Sequence, residues 1–311
     1  MCCLFGLIDT RNALSGKDKS KLLHILASES EARGTDATGI AYNVGKQLYI
    51  HKRPVPGRKL QIRVRDDTVA VMGHTRMTTQ GRASRNRNNH PFLGRVGKTP
   101  FALAHNGVLF NDKQLRRTMG LPKTKIETDT YIAVQLLEKK RTLDFNSLRY
   151  MAEQVEGSFT FTILDGADNL FIVKGDSPLC LYWFPEQGLY LYNSTEEILN
   201  RALQRLSLPL GEHTHISVNC GDLLRIAPSG EISREEFDNP FLFYSNPWFP
   251  YSWPGQFRYV QKAMPSTQNS YLEEIKSVAM AFGYAPEEID HLADIGFAPE
   301  ELEELLYCGE L

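Results

Sequence analysis

The stretch from residue 158 to residue 193 constrains the fold most, because it holds two hairpins in succession. Apolar-rich runs over 158–164 and 170–174 flank the turn-forming Asp165-Gly166-Ala167-Asp168-Asn169, and runs over 179–184 and 189–193 flank Pro185-Glu186-Gln187-Gly188. Strands joined by four or five residues run antiparallel, since a parallel connection needs a crossover of about a dozen residues or more. An antiparallel meander is therefore expected here. Earlier strands are expected over 3–8, 68–74 and 101–104, with a hairpin of 40–44 and 48–52 closed by Gly45-Lys46-Gln47. Later strands are expected near 213–218 and 221–226.

Helical periodicity marks 15–31, where Leu22, Leu23 and Leu26 share a face, and also 112–118 and 148–155. Thr128 is the expected N-cap of a helix that buries Ile132, Leu136 and Leu137. Ser194-Thr195-Glu196-Glu197 reads as a capping box opening a helix to about Leu206. Composition changes at Asn239. A first domain is expected over 2–238, then a proline- and aromatic-rich arm over 239–269. An acidic helical segment over 270–311 is broken at Gly283, Pro286, Gly296 and Pro299 into three short helices. Its layout resembles a small ubiquitin-associated-type module, and a docking or dimerisation bundle fits equally.

With 311 residues and a formal net charge of -2, the chain offers no electrostatic case for nucleic acid or acidic membranes. Residues 82–90 are basic but lack interleaved aromatic residues, so a solvated or mobile loop is expected rather than a base-stacking surface. No apolar run approaches the ~20 residues that span a bilayer, and the N-terminus lacks a secretion-signal pattern. Five cysteines are scattered, with no CxxC spacing. His213 and His215 share a strand face without a third ligand. Neither metal nor cofactor is expected, and the cytoplasm is the expected compartment.

Several residues carry chemistry. Once Met1 is removed, Cys2 combines a thiol and an α-amine, with pKa values of about 8.5 and 8. One residue then supplies nucleophile and base, although a buried cysteine opening a strand is the plainer alternative. Arg76 at a strand end suits bidentate capture of a carboxylate, or a surface salt bridge. Asn106 and the Gly107 N–H offer two donors for one oxyanion, or a common hairpin turn. Asp129 at a helix start fits the helix dipole.

Read in order, Met1-Cys2-x-Leu4-Phe5-Gly6, Arg33-Gly34-x-Asp36-x-x-Gly39, Gly73-His74-Thr75-Arg76-x-x-Thr79, His105-Asn106-Gly107 and Glu127-Thr128-Asp129-Thr130 resemble the landmarks of class II glutamine amidotransferase domains. Such domains occur in glucosamine-6-phosphate synthase, amidophosphoribosyltransferase and asparagine synthetase. The resemblance covers about residues 2–230. It implies an α+β fold, a four-layer αββα sandwich of two antiparallel sheets between helices. It implies that Cys2 attacks the side-chain amide of glutamine, with Asn106 and Gly107 holding the oxyanion. Arg76 would take the substrate α-carboxylate and Asp129 its α-amino group, with Thr79 also beside the substrate. Cys3, Met77 and Gln80 depart from the family pattern, Cys3 adding bulk where glycine is usual. Residues 240–311 show no recognisable acceptor domain, so the ammonia would go to a separate synthase subunit. Homo-oligomerisation through the C-terminal region is a further possible partnership. An amidase with no acceptor, or a catalytically quiet binding protein, stays open at this point.

Overall fold

The computed structural model describes residues 2–45, 47–243, 272–273, 275–276, 279–280 and 284–308. Its contacts divide the chain into two units, residues 1–239 and 240–311.

The strands of the first unit are β1 (Cys3–Asp9), β2 (Ala37–Val44), β3 (Gln47–Arg53), β4 (Ala70–Arg76), β5 (Phe92–Val96), β6 (Thr99–Leu109), β7 (Gly157–Asp165), β8 (Leu170–Lys174), β9 (Cys180–Phe184), β10 (Leu189–Asn193), β11 (Thr214–His215), β12 (Asp222–Ile226) and β13 (Ile232–Glu236). They form a seven-stranded sheet ordered β11-β9-β10-β1-β4-β2-β3 and a six-stranded sheet ordered β13-β12-β8-β7-β6-β5. The neighbours pair antiparallel, as the two hairpins require. Helices α1 (Gly16–Glu29) and α5 (Glu196–Arg205) cover the first sheet; α3 (Tyr131–Lys140) and α4 (Phe145–Gln154) cover the second, and α2 (Asp112–Thr118) packs beside α3. The expected αββα sandwich is the observed one.

Strand β1 shows why the sandwich forms. Side chains alternate across a strand, so Leu4 and Ile8 enter the core between the sheets with Met72, Leu164 and Ile172. Phe5 and Leu7 point the other way, into the layer under Leu22, Leu26 and Leu199. All seven residues of β1 are buried. Each large apolar side chain so placed contributes about 1.5–3 kcal/mol. Because β1 lies between β10 and β4, the start of the chain is fastened at the middle of a sheet rather than at its edge.

Several expectations change. Strand β6 does not stop at Ala104: it continues to Leu109, with Asn106 opposite Thr160 and Gly107 opposite Phe159 on β7. Asn106-Gly107 is thus interior to a strand, and the hairpin-turn reading fails. Helix α3 begins at Tyr131 with Thr130 as N-cap, without a side-chain cap bond, rather than at Thr128. Strands β5 and β13 carry too few apolar residues in alternation to be noticed beforehand. The strand expected over 213–218 shrinks to Thr214–His215, where the two histidines pack on Tyr182 at 4.1 and 5.9 Å between ring centroids. Residues 82–90 are solvated only in part: Arg82, Ser84, Arg85 and Arg87 are exposed, Asn88, Asn89 and His90 are buried, and Arg85 and Arg87 pair with Glu127.

Beneath the β1–α1 connection lies a fully buried ion pair, Lys19 Nζ to Asp9 Oδ2 at 3.2 Å. Lys19 also donates to Asn12 Oδ1 and the carbonyls of Asp66 and Thr68, at 2.6–2.8 Å. Asp9 accepts from the Ala13 and Leu14 amides at 2.9 Å each. Removing one member strands a buried charge, which costs about 3–5 kcal/mol. Lys19→Met is therefore expected to lower the unfolding free energy of the first unit by that amount, read as a lower denaturant midpoint at an unaltered denaturant slope. A shift below about 1 kcal/mol, the scale of an exposed pair, would show that the pair is not isolated from solvent.

The second unit has a small core of its own, Ile275, Ala279, Ile289, Leu302 and Leu306. Helices span Pro286–Asp294 and Pro299–Cys308, separated at Gly296 as expected. Of the aromatic arm expected over 239–269, residues 244–269 lie outside the described residues. Among the described residues no helix is long and apolar enough to cross a membrane.

Candidate active site

Five residues singled out from the sequence line one narrow cavity: Cys2, Arg76, Thr79, Gly107 and Asp129, joined by Met77, Gln80, His90, His105, Thr128 and Thr130. The sheets bring them there from separate stretches. Cys2 precedes β1, Arg76 ends the neighbouring β4, Gly107 lies in β6 of the other sheet, and Asp129 precedes α3. The cavity measures about 10 Å³, room for roughly one water molecule.

Cys2 is half-buried and its Sγ lies 3.5 Å from the Met77 carbonyl. Burial pushes the thiol up, opposed by the chain's terminal ammonium and by the Arg76 guanidinium. Its own carbonyl accepts from Arg33 Nε at 3.1 Å. The loop that carries Arg33 also braces the end of β4. The Asp36 amide donates to the Arg76 carbonyl at 2.9 Å, and the Asp36 carboxylate accepts from the Thr78 amide at 2.8 Å. A Cβ at Gly34 would lie 2.5 Å from the Arg76 carbonyl carbon, so only glycine permits this approach.

Arg76 is buried, and its guanidinium holds the loop that follows it. Nη1 donates to Asn89 Oδ1 at 2.8 Å, and Nη2 to the carbonyls of Gln80 and of Gly81, the latter at 3.0 Å. Among the described residues it forms no salt bridge. Asp129 Oδ2 accepts from the Leu109 amide at 2.7 Å, and burial raises its pKa against that bond and the Arg76 charge. The carboxylate thus ties α3 to the end of β6, more than a helix-dipole acid does.

Asn106 does not line the cavity directly, but it adjoins Gly107 on β6. It is fully buried, and neither atom of its amide has a protein hydrogen-bond partner among the described residues. Buried side-chain amides are ordinarily satisfied, and an unpartnered donor next to Gly107 of the cavity lining could meet a charge that appears only during a reaction. Gly107 has φ +129°, and a Cβ there would lie 2.0 Å from the Ser158 carbonyl oxygen.

Three buried histidines back the cavity. Burial pushes His105 down to about 3 and His74 and His90 well below the usual imidazole range, so all are neutral. His105 Nε2 faces the Ser158 carbonyl at 3.4 Å and donates to it, leaving Nδ1 to accept from the Thr130 hydroxyl at 2.9 Å. Thr130 Oγ1 in turn accepts from His90 Nε2 at 3.1 Å. His74 Nε2 donates to the His105 carbonyl at 3.0 Å. Among the described residues no group of three metal-ligating side chains comes together.

Residues 74–200 match the family described as a glutamine amidotransferase domain. The chain is similar to the isomerizing glutamine–fructose-6-phosphate aminotransferase of Chlamydia muridarum, with 30% identity over 221 residues, 68% of this chain and 35% of that protein. It is 33% identical over 189 residues to the enzyme of that name from Bacillus licheniformis, 58% of this chain and 30% of the relative. The chain carries a class II glutamine amidotransferase domain. Its fold is similar to that of the glutamine phosphoribosylpyrophosphate amidotransferase from B. subtilis, with a TM-score of 0.60 and 20% identity over 76% of this chain and 49% of that one. The chain spans about a third of the length of the curated relatives it matches.

Within the amidotransferase domain the three departures from the family pattern take on definite roles. Cys3 does not crowd the nucleophile. It faces away, fully buried, and its Sγ donates to Asn193 Oδ1 at 2.9 Å, while Asn193 Nδ2 donates to Ser30 Oγ at 3.0 Å. Met77 and Gln80 contribute through their carbonyls, to Cys2 and Arg76 respectively, contacts that do not depend on side-chain identity. Asn89 was not singled out from the sequence, and Thr130 entered only as the end of a motif, because each works through partners elsewhere in the chain. Two adjacent asparagines in an otherwise basic stretch were the only available signal for Asn89.

Proposed function

We propose that the amidotransferase domain hydrolyses the side-chain amide of glutamine through a Cys2 thioester. The observation that carries this reading is the convergence of Cys2, Arg76, Gly107 and Asp129 on one cavity beside the unpartnered amide of Asn106. The Cys2 thiol gives its proton to the α-amine exposed by removal of Met1, and the sulfur attacks the amide carbon. The C=O electron pair moves to oxygen, where Asn106 Nδ2 and the Gly107 N–H hold the charge. Collapse expels ammonia, which takes the proton from the α-ammonium. Water then cleaves the thioester, releasing glutamate and restoring the thiol. Arg76 takes the α-carboxylate and Asp129 the α-ammonium, with Thr79 lining the same pocket.

A cavity of about 10 Å³ is far smaller than glutamine, so binding displaces residues 77–81. An incoming carboxylate would replace the Gln80 and Gly81 carbonyls on Arg76, a charge-assisted bond in exchange for neutral acceptors. The ammonia passes, in this reading, to an acceptor on a separate synthase. The decisive test is whether purified protein converts glutamine to equal amounts of glutamate and ammonia. No turnover with Met1 absent would overturn the reading.

The second unit is not needed for this chemistry. Asn239 must stay, since its Nδ2 donates to the Ala152 and Val155 carbonyls at 2.6 and 2.8 Å and closes the end of α4. A chain ended after Asn239 is expected to keep glutamine kcat/KM within about twofold, well under the tenfold that 1.4 kcal/mol represents. Loss of activity in soluble truncated protein would assign residues 240–311 to the reaction.

A further inference from the structure

A much larger cleft, about 470 Å³, lies away from Cys2, where edge strands β3 and β5 leave one side of the sandwich open. This volume lies in the range of small-molecule sites, roughly 300–1,000 Å³. Leu48, Ile50 and Leu93 supply apolar wall, and His51, Lys52, Arg53 and Asn86 supply the polar side. Leu93 is 46% exposed, unusual for a large apolar residue on a strand.

The charges of this cleft are unbalanced. Arg85 and Arg87, nearby in sequence to Asn86, pair with Glu127. Neither Lys52 nor Arg53 pairs with a carboxylate among the described residues. Lys52 Nζ is held only by the carbonyls of Asn89 and Pro91, the latter at 2.9 Å, and sits 5.0 Å from the centre of the Phe92 ring. These groups satisfy its protons without neutralising its charge. Burial, with the Arg76 charge behind it, pushes Lys52 down to about 8. Asn86 Nδ2 donates to the Lys52 carbonyl at 2.9 Å and fixes the strand against the 86–91 segment.

We infer that this cleft is a binding site for a small amphipathic anion, a carboxylate or phosphate on an apolar body. The anionic head meets Lys52, and the body lies along Leu48 and Ile50, on the same face of β3, and Leu93. A paired anion makes charge-assisted bonds that the carbonyls cannot match. Asn89 connects this site to the catalytic one: its carbonyl takes Lys52, and its Oδ1 takes Arg76.

The test is calorimetric titration of the full chain with phenyl phosphate and with benzoate, against inorganic phosphate and benzyl alcohol. One saturable site is expected for phenyl phosphate or benzoate, and whichever binds tighter identifies the head group. Head alone and neutral body should each bind at least about tenfold more weakly, as when one of two contributing contacts is lost. Lys52→Met should weaken binding by about tenfold or more. Arg53→Ala, on the opposite face of β3, should leave it unchanged. Absence of saturable binding by both aromatic anions overturns the site, as does unchanged affinity in Lys52→Met.

Discussion

Cys2→Ala protein is expected to turn over less than about a thousandth of the glutamine that the unaltered protein does, the scale of loss when a nucleophile is removed. It should nonetheless melt at nearly the same temperature. Both expectations follow from where the side chain sits. The thiol is half-buried, and its approach to the Met77 carbonyl is a weak one at 3.5 Å. The brace from Arg33 goes to the Cys2 carbonyl, which alanine retains. Cys3 behaves in the opposite way, its fully buried thiol bonded to Asn193, so its loss falls on stability.

Reactivity separates the cysteines as well. A glutamine-mimicking diazo ketone should add once, at Cys2, in protein whose intact mass shows Met1 removed. Cys180 is buried and pushed up to about 12, so it presents almost no thiolate at neutral pH. Labelling at Cys3, Cys180, Cys220 or Cys308, or active protein that keeps Met1, would sink the N-terminal nucleophile mechanism. Ammonia release, melting and intact-mass analysis on the same samples decide the matter.

Asn106→Ala should show the second-largest effect, with a different signature. If the amide stabilises only the oxyanion, kcat falls by about two to three orders of magnitude while KM changes little. Stability should hardly move. The amide has no protein partner among the described residues to leave behind. The desolvation penalty it now incurs, about 1–3 kcal/mol, offsets the packing lost with the side chain. A melting temperature within about 3 °C of the original is the expected readout. A large loss of stability, or a rise in KM without a fall in kcat, would make Asn106 a structural or binding residue instead. Alanine at Gly107 is no substitute for this test. Its φ of +129° and its approach to Ser158 mean that any side chain there distorts β6 itself.

Much of the architecture was legible in the sequence because strand periodicity and turn chemistry are local. The hairpins after Gly157 and the apolar face of α1 follow from residues a few positions apart, as does the helix behind Thr195. That Cys2, Arg76, Gly107 and Asp129 would come together was also legible, since five short motifs stand in a fixed order, and the fold brings these four to one cavity. Local pattern misled at Asn106-Gly107, where turn-prone residues sit inside a strand because nine residues of β7 pair alongside. It misled again at the end of the basic stretch, where polarity suggested solvent although Asn88, Asn89 and His90 are buried.

What the tertiary structure alone decided is how these residues are held. Sequence determined that the strands run antiparallel and pointed to the groups proposed here to carry chemistry. It could not show that Arg76 is seated by Asn89, that Thr130 joins two histidines, or that Lys52 faces an open cleft without a carboxylate. Those arrangements depend on β1 lying between β10 and β4, and on the second sheet stacking over the first. The pairings join residues tens of positions apart, where no periodicity in the chain records which buried polar group will meet which.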